Sequence, residues 1–187
     1  MQHPIVVLPG IGGSGENHWQ SLWERRWKNE NANIVRFAPP DWNQPKLEDW
    51  LLALDQAITD IGKPSVLVAH SLSCLLVAHW AHWRGQLAAQ LVRAAFLVAV
   101  PDPDGSAFPP QAQTFKAVPR NPLPFPALVV CSTNDPYGTV DYAKSCAQSW
   151  QADCVAAGAL GHINGASNIG DWPQGQALFA SFCAALA

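Results

Sequence analysis

The sequence predicts a parallel α/β domain over residues 1–187, with six strands in spatial order 2-1-3-4-5-6 and helices on both faces. Three observations predict the parallel α/β class. Apolar runs of strand length alternate along the chain with longer segments of helical period. Most of those runs are near-continuously apolar, as expected of strands buried on both faces of a parallel sheet. One of them leads directly into a serine and a helix, a junction that parallel α/β sheets use to present a side chain at the carboxyl ends of their strands.

The strands are expected at Ile5–Leu8, Asn33–Phe37, Ser65–Ala69, Ala94–Val100, Ala127–Cys131 and Asp153–Ala157. The helices between them are expected at Asn17–Asn29, Lys46–Ile61, Leu72–His82, Thr139–Gln151 and Trp172–Leu186. Within the first helix Trp19, Trp23 and Trp27 recur every fourth residue and so share one face. Such a stripe reads as core, with a wall of a substrate pocket as the alternative for Trp19. The stretch from Pro101 to Pro126 breaks the rhythm with eight prolines and no periodicity. It is expected as a long loop leaving the fourth strand, either contributing to a site or merely spanning a crossover.

Composition bounds the function. Hydrophobic residues make up 49% of the chain and charged ones 13%, which suits a buried sheet between helices. Net charge is −3 and the densest basic stretch is Arg25-Arg26-Trp27-Lys28, too little to neutralise a phosphate backbone, so no nucleic-acid partner is expected. No apolar run has membrane-spanning length, and the first residues lack the pattern of a secretory leader, so no membrane partner is expected. Five cysteines without a C-x-x-C pair argue against structural zinc and a disulfide framework and point to reduced thiols in the cytoplasm. His79 and His82 are spaced i, i+3 but have no thiol or carboxylate at ligand spacing, so neither a metal nor any other cofactor is expected.

The strongest chemical signal is Val66-Leu67-Val68-Ala69-His70-Ser71-Leu72-Ser73-Cys74. Here a strand runs into Ser71 with small residues two positions either side, and a helix follows. This is the strand–turn–helix context of a nucleophile elbow, G-x-S-x-G, with Ala69 and Ser73 in the glycine positions. The turn is so tight that strand and helix backbones approach closely, which demands small side chains there. A nucleophilic serine needs a base, and the base needs an orienting acid. In α/β-hydrolases these follow the serine as acid and then histidine, at the ends of later strands. The fifth strand ends in Asn134-Asp135-Pro136-Tyr137 and the sixth leads to Gly161-His162-Ile163-Asn164, offering Asp135 and His162. Asp102, after the fourth strand, is a rival acid, with Asp104 beside it.

Charge developing on the substrate oxygen needs backbone donors. Leu72 N–H, following the serine, is one candidate. Ile11 N–H is the other, from the loop Pro9-Gly10-Ile11-Gly12-Gly13-Ser14-Gly15, with Gly12 next. That loop has the spacing of a dinucleotide cradle, but no acidic residue ends the second strand, so no nucleotide is expected. Gly12, His18, Trp19 and His70 are the candidate pocket residues. His70 is the variable residue of the elbow and is expected to point away from the serine.

Taken together, Leu8-Pro9-Gly10, Asn17-His18-Trp19-Gln20, His70-Ser71-Leu72, Asn134-Asp135-Pro136-Tyr137 and Gly161-His162-Ile163-Asn164 resemble the small serine hydrolases that include the retinoblastoma-binding serine hydrolase and YdeN-like bacterial proteins. The resemblance covers nearly the whole chain. It implies a compact α/β-hydrolase without the first two strands of the full fold, and a triad of Ser71, Asp135 and His162. The elbow departs from the family's G-H-S-x-G at Ala69 and Ser73. The expected function is hydrolysis of a small ester, or less readily an amide, through an acyl-enzyme. The alternative, from a different class, is a protein-binding module that keeps the scaffold and engages a protein partner.

Overall fold

The computed structural model of the chain describes residues 3–30 and 32–186. Strand β1 (Ile5–Leu8) is followed by helix α1 (Trp19–Asn29), β2 (Ile34–Arg36), α2 (Leu47–Ile61), β3 (Ser65–His70) and α3 (Leu72–Arg84). A one-turn helix α4 (Ala88–Leu91), which the sequence did not signal, then leads into β4 (Val92–Val98), β5 (Ala127–Cys131), α5 (Val140–Trp150), β6 (Asp153–Ala156) and α6 (Pro173–Ala184). The strands form one sheet in the order β2-β1-β3-β4-β5-β6, with every neighbouring pair parallel. This is the expected α/β-hydrolase sheet. The expected elements recur with ends shifted by a residue or two, as helix caps and strand fraying allow.

Side chains that alternate along each strand divide the core in two. Val6, Leu8, Leu67, Ala69, Leu97 and Val129 face the layer built by α2, α3 and α5. Ile5, Val7, Val66, Val68, Phe96 and Val98 face the layer built by α1 and α6. The tryptophan stripe of α1 belongs to this second layer: Trp19, Trp23 and Trp27 are buried, with Trp23 stacked on Trp172 at 5.9 Å and Trp27 against Phe179 at 5.3 Å. The core reading of the stripe is therefore the one the structure adopts, for Trp19 as well.

The proline-rich stretch differs from the structureless loop the sequence suggested. It holds a short 3₁₀ segment, Pro110–Phe115, and it buries Phe108, Ala112, Phe115, Leu123 and Phe125 in the first layer. Phe115 packs edge-on against Trp50 of α2, 5.6 Å between ring centres, and its carbonyl accepts from the His79 ring on α3. Apolar side chains at irregular spacing carry no periodic signal, which is why packing of this segment was not legible. It spans the β4–β5 crossover over the sheet face. Among the described residues, no helix is long and apolar enough to cross a membrane.

Candidate active site

The carboxyl ends of β1, β3, β5 and β6 converge on Ser71. The residue sits between β3 and α3 with φ 56° and ψ −126°, a left-handed conformation that is costly for a residue with a side chain. Its N–H is held by the Val98 carbonyl at 2.9 Å. The first loop pays close attention to this turn: a Cβ on Gly10 would lie 2.9 Å from Ser71 Cβ and 3.2 Å from the His70 carbonyl oxygen, so only glycine fits. Ser73, fully buried, answers the question its hydroxyl raised in the elbow. The hydroxyl donates to the Pro9 carbonyl at 2.5 Å, which joins the start of α3 to the end of β1.

His162 Nε2 lies 2.8 Å from Ser71 Oγ, and His162 Nδ1 lies 2.9 Å from both carboxylate oxygens of Asp135. With an acid on one side and a hydroxyl on the other, the neutral ring is the tautomer that donates from Nδ1 and accepts from the serine at Nε2. The Asp135 side chain is 2% exposed and its Oδ1 also accepts the Tyr137 N–H at 2.9 Å. Asp102, the rival acid, is turned into its own loop, where Oδ1 accepts the Asp104 N–H at 3.0 Å.

Bonds that the sequence did not signal hold the histidine loop in place. The Asn134 side-chain oxygen accepts the Gly161 N–H at 2.7 Å, and Ser132 Oγ accepts the Leu160 N–H at 2.8 Å. Trp19 Nε1 donates to the Ile163 carbonyl at 2.8 Å, and His70 Nε2 donates to the His162 carbonyl at 2.9 Å. Tyr137 packs on the His162 ring, 4.4 Å between centres. Asn134 and Tyr137 flank Asp135 in a quoted motif, so their position was visible but not their partners.

A cavity of about 540 Å³ opens over these residues, lined by the first loop (Gly10, Ile11, Gly13, Gly15), by Glu16, Asn17 and His18, and by His70, Ser71, Tyr137, His162, Asn164 and Gly165. Of the candidate pocket residues, His18 and His70 therefore face it. His70 does so despite the expectation that it would point away, although its Nε2 is spent on the His162 carbonyl. Trp19 does not line the cavity; it is drawn into the second core layer by Trp23 and Trp172. Gly12 does not line it either, because its N–H is turned to the Trp42 carbonyl at 2.9 Å. The Gly13 N–H is likewise taken, by Gly10. Ile11 lines the cavity from this loop, and Leu72, at the start of α3, has an N–H with no helix carbonyl one turn back.

Burial holds the ring of His18 down to about 4, helped by the charge of Arg36 and by the neighbouring His162, and holds His70 well below its ordinary value, with His18 and His162 adding to the effect. Both rings are neutral near pH 7. Among the described residues, no group of three or more His, Cys, Asp or Glu side chains gathers as metal ligands would.

A sequence profile of the serine hydrolase family matches residues 5–181. The chain belongs to the serine hydrolase family. It is similar in structure to a YdeN-like hydrolase of Pectobacterium atrosepticum, with a TM-score of 0.85 and 30% identity over 99% of this chain and 93% of that one. It is also similar to the ydeN gene product of Bacillus subtilis, with a TM-score of 0.76 and 20% identity over 98% and 100% of the two chains. In sequence the match to the Bacillus subtilis hydrolase YdeN is 31% identical over 74 residues, 40% of this chain and 39% of YdeN. Family membership makes the chain a hydrolase.

Proposed function

We propose that the protein is a carboxylesterase-like serine hydrolase that cleaves small esters, and amides less readily, through an acyl-enzyme. The observation that carries this reading is the unbroken hydrogen-bond chain from Ser71 through His162 to Asp135, at 2.8 and 2.9 Å. Ser71 Oγ attacks the ester carbonyl while His162 Nε2 takes its proton. Asp135 keeps the proton on Nδ1 and stabilises the imidazolium that forms. The backbone N–H groups of Leu72 and Ile11 receive the developing oxyanion. His162 then gives its proton to the leaving alkoxide, and a water, deprotonated by the same nitrogen, hydrolyses the acyl-enzyme. The cavity of about 540 Å³ suits a short acyl group and a modest alcohol. Five free cysteines fit a reducing compartment, and we assign the protein to the cytoplasm on that basis.

Turnover of short p-nitrophenyl esters tests the reading. Ser71→Ala should lower kcat by about 10⁴-fold or more. A variant that keeps wild-type turnover would remove Ser71 from the mechanism.

A further inference from the structure

The cavity has one wall that the proposed chemistry does not use. His18 caps helix α1, with its Nδ1 accepting the Gln20 N–H at 3.2 Å. That bond fixes the tautomer: a neutral ring that accepts at Nδ1 must carry its proton on Nε2. The ring is neutral, since burial holds it down to about 4. It is also fixed in orientation, edge-on to His70 at 4.8 Å and beside Trp19 at 5.5 Å. Among the described residues Nε2 has no acceptor, and the residue lines the cavity together with Ser71 and His162. The neighbouring His70 has no such capacity, because its N–H is spent on the His162 carbonyl. His18 therefore presents one oriented donor that cannot invert to an acceptor.

The charge around it narrows what that donor can meet. No Lys or Arg lines the cavity, and Glu16 stands at its mouth. The Arg36 charge that acts on His18 lies outside the cavity lining and is paired with Glu24 at 2.6 Å. A carboxylate or phosphate on the substrate would therefore meet no unpaired cation in the lining and would face Glu16, whereas a neutral oxygen loses little on entering and gains the His18 bond.

We infer that His18 Nε2–H binds a neutral hydrogen-bond acceptor of the substrate outside the scissile ester, an ether, carbonyl or hydroxyl oxygen, so that short oxygen-bearing esters are the preferred class. The inference rests on the esterase reading above. It makes His18 a specificity-determining residue.

The test uses pairs of esters that differ by one CH2-to-oxygen replacement. One pair varies the acyl chain, p-nitrophenyl butyrate against p-nitrophenyl methoxyacetate; the other varies the alcohol, butyl acetate against 2-methoxyethyl acetate. His18→Asn is the informative variant, because asparagine is a favoured helix N-cap but too short to return the Nε2 donor. In at least one pair, the selectivity for the ether member, as a ratio of kcat/KM values, should fall about 5- to 10-fold from wild type to His18→Asn, the worth of one neutral hydrogen bond. Comparing selectivities between enzymes cancels the intrinsic reactivity of the esters. Fluorophosphonate labelling of Ser71 reports that the variant's nucleophile is still activated, and loss of that labelling in His18→Asn would show that His18 supports the nucleophile itself and overturn the inference. A variant that loses both members of each pair equally, or neither, overturns the inference and leaves the esterase reading standing. A wild-type protein that Ser71-directed fluorophosphonate does not label removes both.

Discussion

Acidification should destabilise the protein well above the pH at which its carboxylates titrate, and His18 supplies a calculable share of the loss. The native ring is held down to about 4 from an ordinary value of 6.5. Between those limits the unfolded chain binds a proton at this position and the native chain does not, so stability is full above about pH 6.5 and falls as pH drops through the window. Each unit of pH in that range costs about 1.36 kcal/mol, so going from near pH 7 to near pH 5 costs about 2 kcal/mol through His18 alone. His70 and His79, both held below their ordinary values chiefly by burial, act in the same direction. Glu24 does not contribute there. Burial pushes it up, but hydrogen bonds from Lys28 and Arg36 prevail and hold it below 4.5, so it is ionised throughout. Urea unfolding near pH 7 and near pH 5, for wild type and His18→Asn, isolates the His18 share, because asparagine keeps the helix cap without titrating. The difference in unfolding free energy between the two pH values should shrink by about 2 kcal/mol in the variant. An identical pH dependence in the two proteins would show that His18 is not held neutral by its surroundings.

Two substitutions test how the site is held. Ser73→Ala leaves the Pro9 carbonyl without its donor beside the first loop, and should cost about 1–3 kcal/mol in urea unfolding with a several-fold loss of kcat; unchanged stability would reduce the serine to a small residue that merely fits. Asp135→Asn should lower kcat by about 10³–10⁴-fold through the wrong His162 tautomer, while Asp102→Asn should cost far less. The reverse ranking, read from steady-state turnover, would move the acid to the fourth strand.

The alternation of apolar strand runs with helical periods was enough to expect a parallel α/β sheet, but not to choose among the strand orders that such sheets adopt. The elbow was legible because its steric demand falls within a few consecutive positions, Ala69 to Ser73. What escaped the sequence are bonds between segments distant in the chain. Nothing local says that the Ser73 hydroxyl reaches Pro9, that Asn134 anchors Gly161, or that His70 ties down the His162 carbonyl. Trp19 was expected at the cavity from its closeness in sequence to the first loop, and Gly12 as a member of that loop. The indole was claimed instead by the aromatic core, and the Gly12 N–H by Trp42. The burial of Phe108 and Phe115 was hidden by irregular spacing among prolines.

The central claim is that His162 activates Ser71. Intact-protein and peptide mass spectrometry after treatment with a fluorophosphonate tests it most directly, since such reagents phosphonylate an activated serine hydroxyl and spare ordinary ones. One adduct on the wild-type chain, mapped to Ser71, absent from Ser71→Ala and strongly slowed in His162→Ala, is the predicted result. An adduct on another serine, or one that forms on Ser71 equally fast without His162, would contradict the account.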